Sequence, residues 1–405
     1  MLYVALVILG WVNIYAACYS EEHAFVFDMA SQHGKQLIWV GIATLIAFVT
    51  LYIEPRIFAD TSYIIYAAAI ILLMVTLVLA RTVNGGRSWI DLGPFKLQPS
   101  EFAKFATALA LSKYVGGIDL KPQSKKVKMA IAAMIIVPAA LILLQHDTGS
   151  ALVFAAFVLP LFREGFTKYV LIFAFIAVAL FVLTLLVNQY IVMGLVLVAC
   201  LVYLFVWLNR RTRMSYLLAA GFLLAGWLYV FSVDFAFEKV LEPHQRERID
   251  VLLGKTRDFK GVGYNVHQSK IAIGSGGVLG KGYLRGTITK ADFVPEQETD
   301  FIFCTVGEEG GFLGSAFIVI LYILLLTRLV KLAERQRSRF ARFYGYSIAS
   351  ILFFHFLVNV GMVLGLVPVI GIPLPFFSYG GSSLIAFTLM LFVFIKQDSY
   401  RTQLL

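Results

Sequence analysis

Apolar runs recur from one end of this chain to the other, each about as long as the roughly 17–25 residues that cross the hydrocarbon of a bilayer. That feature leaves few folds open. In hydrocarbon a backbone must satisfy its own polar groups, and long apolar runs do so as helices. Twelve spans are predicted, near 2–19, 36–53, 62–80, 100–115, 129–144, 150–163, 168–187, 191–209, 216–233, 302–327, 344–366 and 380–396. The run at 150–163 is short, so a tilted or re-entrant piece is an alternative there. The expected fold class is an all-α polytopic membrane protein. Composition agrees. Of 405 residues 60% are hydrophobic and 14% charged, and mean hydropathy is +0.83. A soluble domain carries about a quarter charged residues.

The formal net charge is +10. In a soluble protein that would raise nucleic acid as a partner. Here more than half of the 34 Lys and Arg fall in alternate loops, at 56, 113–128, 163–168, 210–213, 328–342 and 396–401. Cytoplasmic loops collect basic residues, so the pattern predicts both termini inside and no nucleic acid. The three cysteines, Cys18, Cys200 and Cys304, lie in or beside apolar runs, with no metal spacing and no disulfide expected. The first run has no basic region ahead of it and is read as a span, not a processed leader.

Two predicted outer segments are longer than turns. One is 81–99 and the other is 232–300, the one long hydrophilic stretch, with an amphipathic piece at 243–253. A long loop of this kind in a compact protein is functional or disordered. Its Gly residues are interleaved with Ile, Val and Tyr, which favours order. The chain is read as one membrane domain over 1–405, with 232–300 a loop within it.

Ionisable groups at membrane depth are costly and so are candidates for function. Four places stand out. In Gln98-Pro99-Ser100-Glu101-Phe102-Ala103-Lys104, Ser100 can cap a helix. Glu101 and Lys104 share a helical face and can pair, either as a site or as a mere anchor. Gln145-His146-Asp147-Thr148-Gly149 is a polar turn or a site at a helix break. In Pro295-Glu296-Gln297-Glu298-Thr299-Asp300-Phe301, Asp300 stands at the mouth of a long apolar helix, as a reactive carboxylate or as a cap. Glu308 and Glu309 follow inside that helix and need internal partners. Finally, 368–383 sets three prolines and three glycines between two spans, with Asn359 just before it. Irregular backbone at that depth must be packed in protein or line a cavity. No P-loop, zinc pattern, nucleophile elbow or dinucleotide fingerprint is present.

These four segments, in this order and over nearly the whole chain, resemble the SEDS family of shape, elongation, division and sporulation proteins. The resemblance rests on Asn84-Gly85-Gly86-Arg87-Ser88-Trp89 with Gln98 to Glu101, on Gln145 to Gly149, on Pro295 to Phe303 and on Pro373 to Ser382. Segments 271–277, 280–282 and 368–375 look more like the RodA type than the FtsW type. Three departures stand out: His146 where the family has Pro, Glu298 where it has His, and twelve spans where it has ten. The surplus is one hairpin between Lys168 and Arg210.

The resemblance implies a peptidoglycan glycosyltransferase. It would polymerise lipid II, a disaccharide-peptide on undecaprenyl pyrophosphate, into β-1,4 glycan at the outer face of the bacterial cytoplasmic membrane, for elongation and rod shape. A base must take the proton of the attacking hydroxyl, and Asp300 is the family's essential carboxylate. Cations must offset the leaving pyrophosphate, and Arg87, Arg246, Arg248, Lys270 and Lys281 are the candidates. Glu101, Lys104, Asp147 and Ser378 are expected to bind substrate. If 298–300 is extended, Glu298 shares a side with Asp300 and would raise its pKa. No cofactor is required by the residues, with a divalent cation such as Mg2+ left open. A class B penicillin-binding protein, the elongation machinery and membrane lipids are the implied partners. A lipid II flippase and a scaffold for a partner synthase are the competing readings.

Overall fold

The computed structural model describes all residues except 20–24, 81–86, 92, 94–95, 118–123, 167–169, 208–212, 236–242, 254–262, 292 and 403–405. The Asn84-Gly85-Gly86 segment and Lys121, Lys168, Arg210 and Arg211 therefore lie outside the described residues. Contacts divide the chain into two compact units, one of 1–167 with 265–405 and one of 168–264.

The first unit begins with α1 (Leu2–Ala17), α2 (Gln32–Tyr52), a short α3 (Pro55–Asp60) and α4 (Ser62–Leu79). A two-residue ribbon, β1 (Ile90–Asp91) against β2 (Lys96–Leu97), leads into α5 (Pro99–Gly116). Next come α6 (Lys125–Leu144), α7 (Thr148–Val153) and α8 (Val158–Arg163). The unit resumes in α13 (Gly263–Gly276) and ends with α14 (Ile302–Glu334), α15 (Arg339–Val363) and α16 (Gly381–Ser399). The second unit holds α9 (Val170–Leu186), α10 (Gln189–Val202), α11 (Arg213–Phe235) and α12 (Pro243–Leu252). Trp227 Nε1 donates to Met193 O and Tyr229 Oη to Ala177 O, tying α11 to α10 and α9.

Each of the twelve predicted spans coincides with a helical stretch. Among the described residues seven of these helices are long and apolar enough to cross a membrane, while α1, 148–163 and 189–205 are shorter. The short run at 150–163 is built from α7, a 3₁₀ turn at Phe154–Phe157 and α8. The amphipathic piece at 243–253 is α12.

Burial separates inner from outer helices. About 17% of the apolar window of α4 or α6 is buried, against 72% in α15 and 67% in α16. The outer helices turn most of their apolar surface to lipid. The inner ones can therefore carry polar groups, because neighbours supply partners there. Helix α5 is the clearest case. It carries Ser100, Glu101, Lys104, Thr107 and Ser112, all buried, and packs against α4 and α15.

Two expectations need correction. Ser100 does not cap α5. The helix starts one residue earlier, at Pro99, whose fixed φ suits a first helical position, and Gln98 is the N-cap. Ser100 Oγ instead donates to Ser150 Oγ at 3.2 Å. Nor is the predicted span at 302–327 one continuous helix. Its backbone breaks at Gly311, with φ +61° and ψ −157°. A Cβ there would stand 2.2 Å from Gly280 N, so glycine is needed for both conformation and space. Segment 277–282 satisfies the freed groups. Phe312 N and Leu313 N donate to Gly277 O and Val278 O, while Lys281 N and Gly282 N donate to Glu308 O and Glu309 O.

Glu308 is fully buried beside this break. Its carboxylate accepts from the backbone N–H of Thr287, Ile288 and Thr289, from two Thr hydroxyls and from Lys281 Nζ at 2.6 Å. A buried carboxylate needs such partners, and segment 277–289 folds around it. At the other end of the unit, Arg163 pairs with Glu334, Arg342 with Glu164 and Arg335 with Asp398.

Candidate functional site

The first, second and third polar segments meet at the fourth, which forms loop 364–380 between α15 and α16. This loop contains Pro373 and Pro375, which have no N–H to give. Side chains from the surrounding helices hold its carbonyls. Asn359 Nδ2 donates to Ile372 O at 2.8 Å, His355 Nδ1 lies 3.1 Å from Pro373 O, and Tyr322 Oη donates to Pro375 O at 2.5 Å. Ser378, which is buried, closes the loop on itself by accepting from Leu374 N at 2.9 Å.

Asp300 lies against this loop. Asn359 Nδ2 also donates to Asp300 O at 2.8 Å, so one amide holds both strands of the crossing. Asp300 is half-buried, and its Oδ2 stands 3.1 Å from where a Cβ on Gly371 would be. Gly371 has φ +67°, a conformation that suits glycine and leaves room for the carboxylate. Asp300 is not the cap of α14. Phe301 occupies that position and makes no side-chain cap bond.

The structure also overturns the extended reading of 298–300. The segment is a turn: Glu296 has φ +60°, and its carbonyl accepts from Thr299 N and Phe301 N. The side-sharing geometry proposed for Glu298 and Asp300 therefore does not form. Glu298 Oε1 accepts from Gln32 Nε2 at 2.8 Å, and Glu298 O accepts from Tyr379 N. Burial pushes the Tyr379 phenol up from its ordinary value, with Cys18 and Glu298 adding to the effect.

The second segment meets the loop from another side. Asp147 caps α7, with Oδ1 accepting from Ser150 N at 2.9 Å and Oδ2 from Gln98 Nε2 at 3.0 Å. A Cβ on Gly149 would come within 2.3 Å of Ile370 O, so this turn packs backbone to backbone on the loop. His146, where φ is +62°, allows the reversal. Arg87 joins the same turn through its backbone, donating to Gln145 O at 2.9 Å.

The first segment supplies the charge beneath. Lys104 Nζ donates to Glu101 Oε1 at 2.7 Å, and both residues are buried. The same ammonium lies 2.8 Å from His355 Nε2 and 5.5 Å from the centre of the Phe387 ring.

The remaining candidates are placed differently. Lys281 is committed to Glu308 and Thr287. Lys270 is exposed on α13, with its side chain over Gly365. Arg246 and Arg248 stand on α12, in the second unit. Among the described residues no group of three or more His, Cys, Asp or Glu could hold a metal ion. Sequence reasoning missed Gln32 and His355. The signal for His355 was its spacing of four from Asn359 inside an apolar helix, which puts two polar groups on one face.

Known proteins share this sequence and fold. The FtsW/RodA/SpoVE family, described as cell cycle proteins, matches residues 1–195 and 164–403. The two stretches overlap at 164–195, which takes in the first part of the expected extra hairpin. The chain is 34% identical over 407 residues to peptidoglycan glycosyltransferase RodA of Treponema pallidum, covering 94% of this chain and 92% of that one. It is 32% identical over 347 residues to peptidoglycan glycosyltransferase MrdB of Escherichia coli, covering 85% and 80%. Among solved structures, a chain of a peptidoglycan synthase complex described as coordinating polymerization and crosslinking superposes with a TM-score of 0.70. That match has 29% identity and 99% and 97% coverage. The rod shape-determining protein RodA of Thermus thermophilus superposes at 0.63, with 27% identity and 99% and 96% coverage. This chain, a multi-pass helical membrane protein, belongs to the FtsW/RodA/SpoVE family, the SEDS family of its four polar segments.

Proposed function

We propose that this protein is a peptidoglycan glycosyltransferase that polymerises lipid II into β-1,4 glycan. The observation that carries the reading is Asp300, a half-buried carboxylate held against Gly371 where four polar segments meet. Glycosyl transfer to a sugar hydroxyl needs a base within hydrogen-bond reach of that hydroxyl, and Asp300 is the base. The growing charge on the pyrophosphate calls for cations, of which Arg87 and Lys270 are exposed in the first unit. Lys281 and Lys104 act differently, because each is already paired with a buried carboxylate. Their work is to hold the scaffold of the site. Asp147 and Ser378 do the same through hydrogen bonds to backbone.

A lipid-transport path would need polar groups open to a cavity. Glu101 and Lys104 are 1% and 0% exposed and face each other, which favours the enzyme. Purified protein given labelled lipid II in detergent should form glycan strands. Lipid II movement across vesicles with no polymer would favour a flippase, and neither activity would favour a scaffold.

A class B penicillin-binding protein is the proposed partner, coupling crosslinking to polymerisation, within the machinery of cell elongation. The site faces outward from the cytoplasmic membrane, with both termini inside, as the loop charges suggest. In a variant with Cys18, Cys200 and Cys304 replaced by Ser, Tyr283→Cys should react with a membrane-impermeant thiol reagent on intact spheroplasts. Arg337→Cys should react only after permeabilisation. The reverse pattern would overturn this orientation.

A further inference from the structure

His355 and Asn359 stand one turn apart on α15, so their side chains share a face. Both are fully buried. They hold adjacent carbonyls of the same loop, Asn359 through Ile372 O and His355 through Pro373 O. His355 also touches the ion pair on α5, with Nε2 2.8 Å from Lys104 Nζ. The chemistry of these neighbours fixes the proton on the ring. An ammonium has only protons to give, so Nε2 must accept. A carbonyl has none to give, so Nδ1 must carry the hydrogen. Of the two neutral tautomers and the imidazolium, only the Nδ1–H form satisfies both ends.

We propose that His355 is a positioning residue: as the Nδ1–H tautomer it bridges Lys104 to Pro373 O, and so couples the Glu101–Lys104 pair to the loop that packs on the Asp300 carboxylate. This rests on the reading of Asp300 as the base. The loop needs such an anchor. Prolines at 373 and 375 give no N–H where the loop passes the helices, and the side chains of Asn359, His355 and Tyr322 hold three of its carbonyls. Glycine at 371 leaves the carboxylate close to loop backbone, so a shift of the loop moves a wall of the site. A displacement of about 1 Å at a reacting centre can cost on the order of 100-fold in rate.

Three substitutions dissect the bridge. His355→Gln can place an amide oxygen near the Nε2 position and keep the Lys104 contact. His355→Asn can place an amide near Nδ1 and keep the Pro373 contact. His355→Leu keeps neither. Lipid II polymerisation is measured per folded molecule, as judged by gel filtration and melting temperature. Turnover should fall about 10-fold for either amide and about 100-fold for His355→Leu, with KM for lipid II within about threefold of the parent. A purely structural histidine would lower the folded yield and leave turnover per folded molecule unchanged. Parent-like turnover of His355→Asn would show that the loop contact alone matters and overturn the coupling. Should His355→Leu not fold, the two amide variants decide. Ring-¹⁵N spectra of the parent should contain an Nδ1–H, Nε2-accepting histidine that vanishes in His355→Gln. An Nε2–H tautomer or an imidazolium would overturn the bridge. A parent that makes no glycan would instead sink the proposed activity and His355's part in it, while the spectrum would still report whether the bridge exists.

Discussion

Asp300→Asn abolishes glycan formation and leaves the fold intact: that is the largest effect expected of any single substitution. The two side chains have nearly the same shape, and the backbone carbonyl of this residue accepts from Asn359 whichever of them it carries. The amide therefore enters the same place against Gly371 but cannot take a proton. General-base catalysis supplies about 10²–10⁴-fold, so polymerisation by the purified variant should fall by that factor. Its melting temperature in detergent and its retention of a co-purified transpeptidase should match the parent. Because Phe301, not Asp300, caps α14, a helix-end role offers no competing account of such a loss. Glycan formation within about threefold of the parent would remove Asp300 from the chemistry.

Lys104→Ala is the second. Lys104 is fully buried and supplies the charge opposite Glu101, whose other oxygen has no hydrogen-bond partner among the described residues. Removing one member of a buried pair leaves an uncompensated charge, worth about 3–5 kcal/mol, whereas replacing both by apolar or neutral groups is far milder. Lys104→Ala should lose thermal stability and polymerisation together. The neutral double variant Glu101→Gln, Lys104→Met should recover much of the stability. The swapped pair, Glu101→Lys with Lys104→Glu, should fall between them. A carboxylate at 104 would require a hydrogen on His355 Nε2, so a neutral ring would lose its bond to Pro373 O and only an imidazolium could keep both contacts. The comparison is made on purified variants by thermal unfolding in detergent. Equal and small losses in all three would reduce the pair to an exchangeable anchor.

The span pattern was legible because hydrophobicity at membrane depth is a local requirement, met residue by residue along a run. Glu101 and Lys104 were legible as a pair for a similar reason. Three residues on one helix fix their separation before any other helix arrives. Asp300 was legible as a carboxylate at the mouth of a span, and the resemblance gave it a role. The surroundings were not legible. Whether Glu298 could tune Asp300 depended on the backbone of 298–300, and the turn at Glu296 with Gln32 as Glu298's partner settled that from 266 residues away. The break at Gly311 was hidden for the same reason. A helix interrupted at a glycine is affordable only when another segment meets the freed N–H and C=O groups, and here 277–282 does so.

Lys281 and His355 mark the boundary most clearly. In the sequence Lys281 is one of several cations available to a pyrophosphate, and His355 is one polar residue in an apolar helix. In the fold Lys281 is taken up by Glu308, and His355 lies between Lys104 and Pro373, 251 and 18 residues away. Composition and periodicity determined that this chain is a bundle in a membrane, and which ionisable groups it takes to membrane depth. Only the packing of the helices and loops decided which of those groups neutralise one another, as Lys104 does Glu101 and Lys281 does Glu308. Charge pairing depends on separations of a few ångströms between distant segments, and those separations are set by how the helices pack.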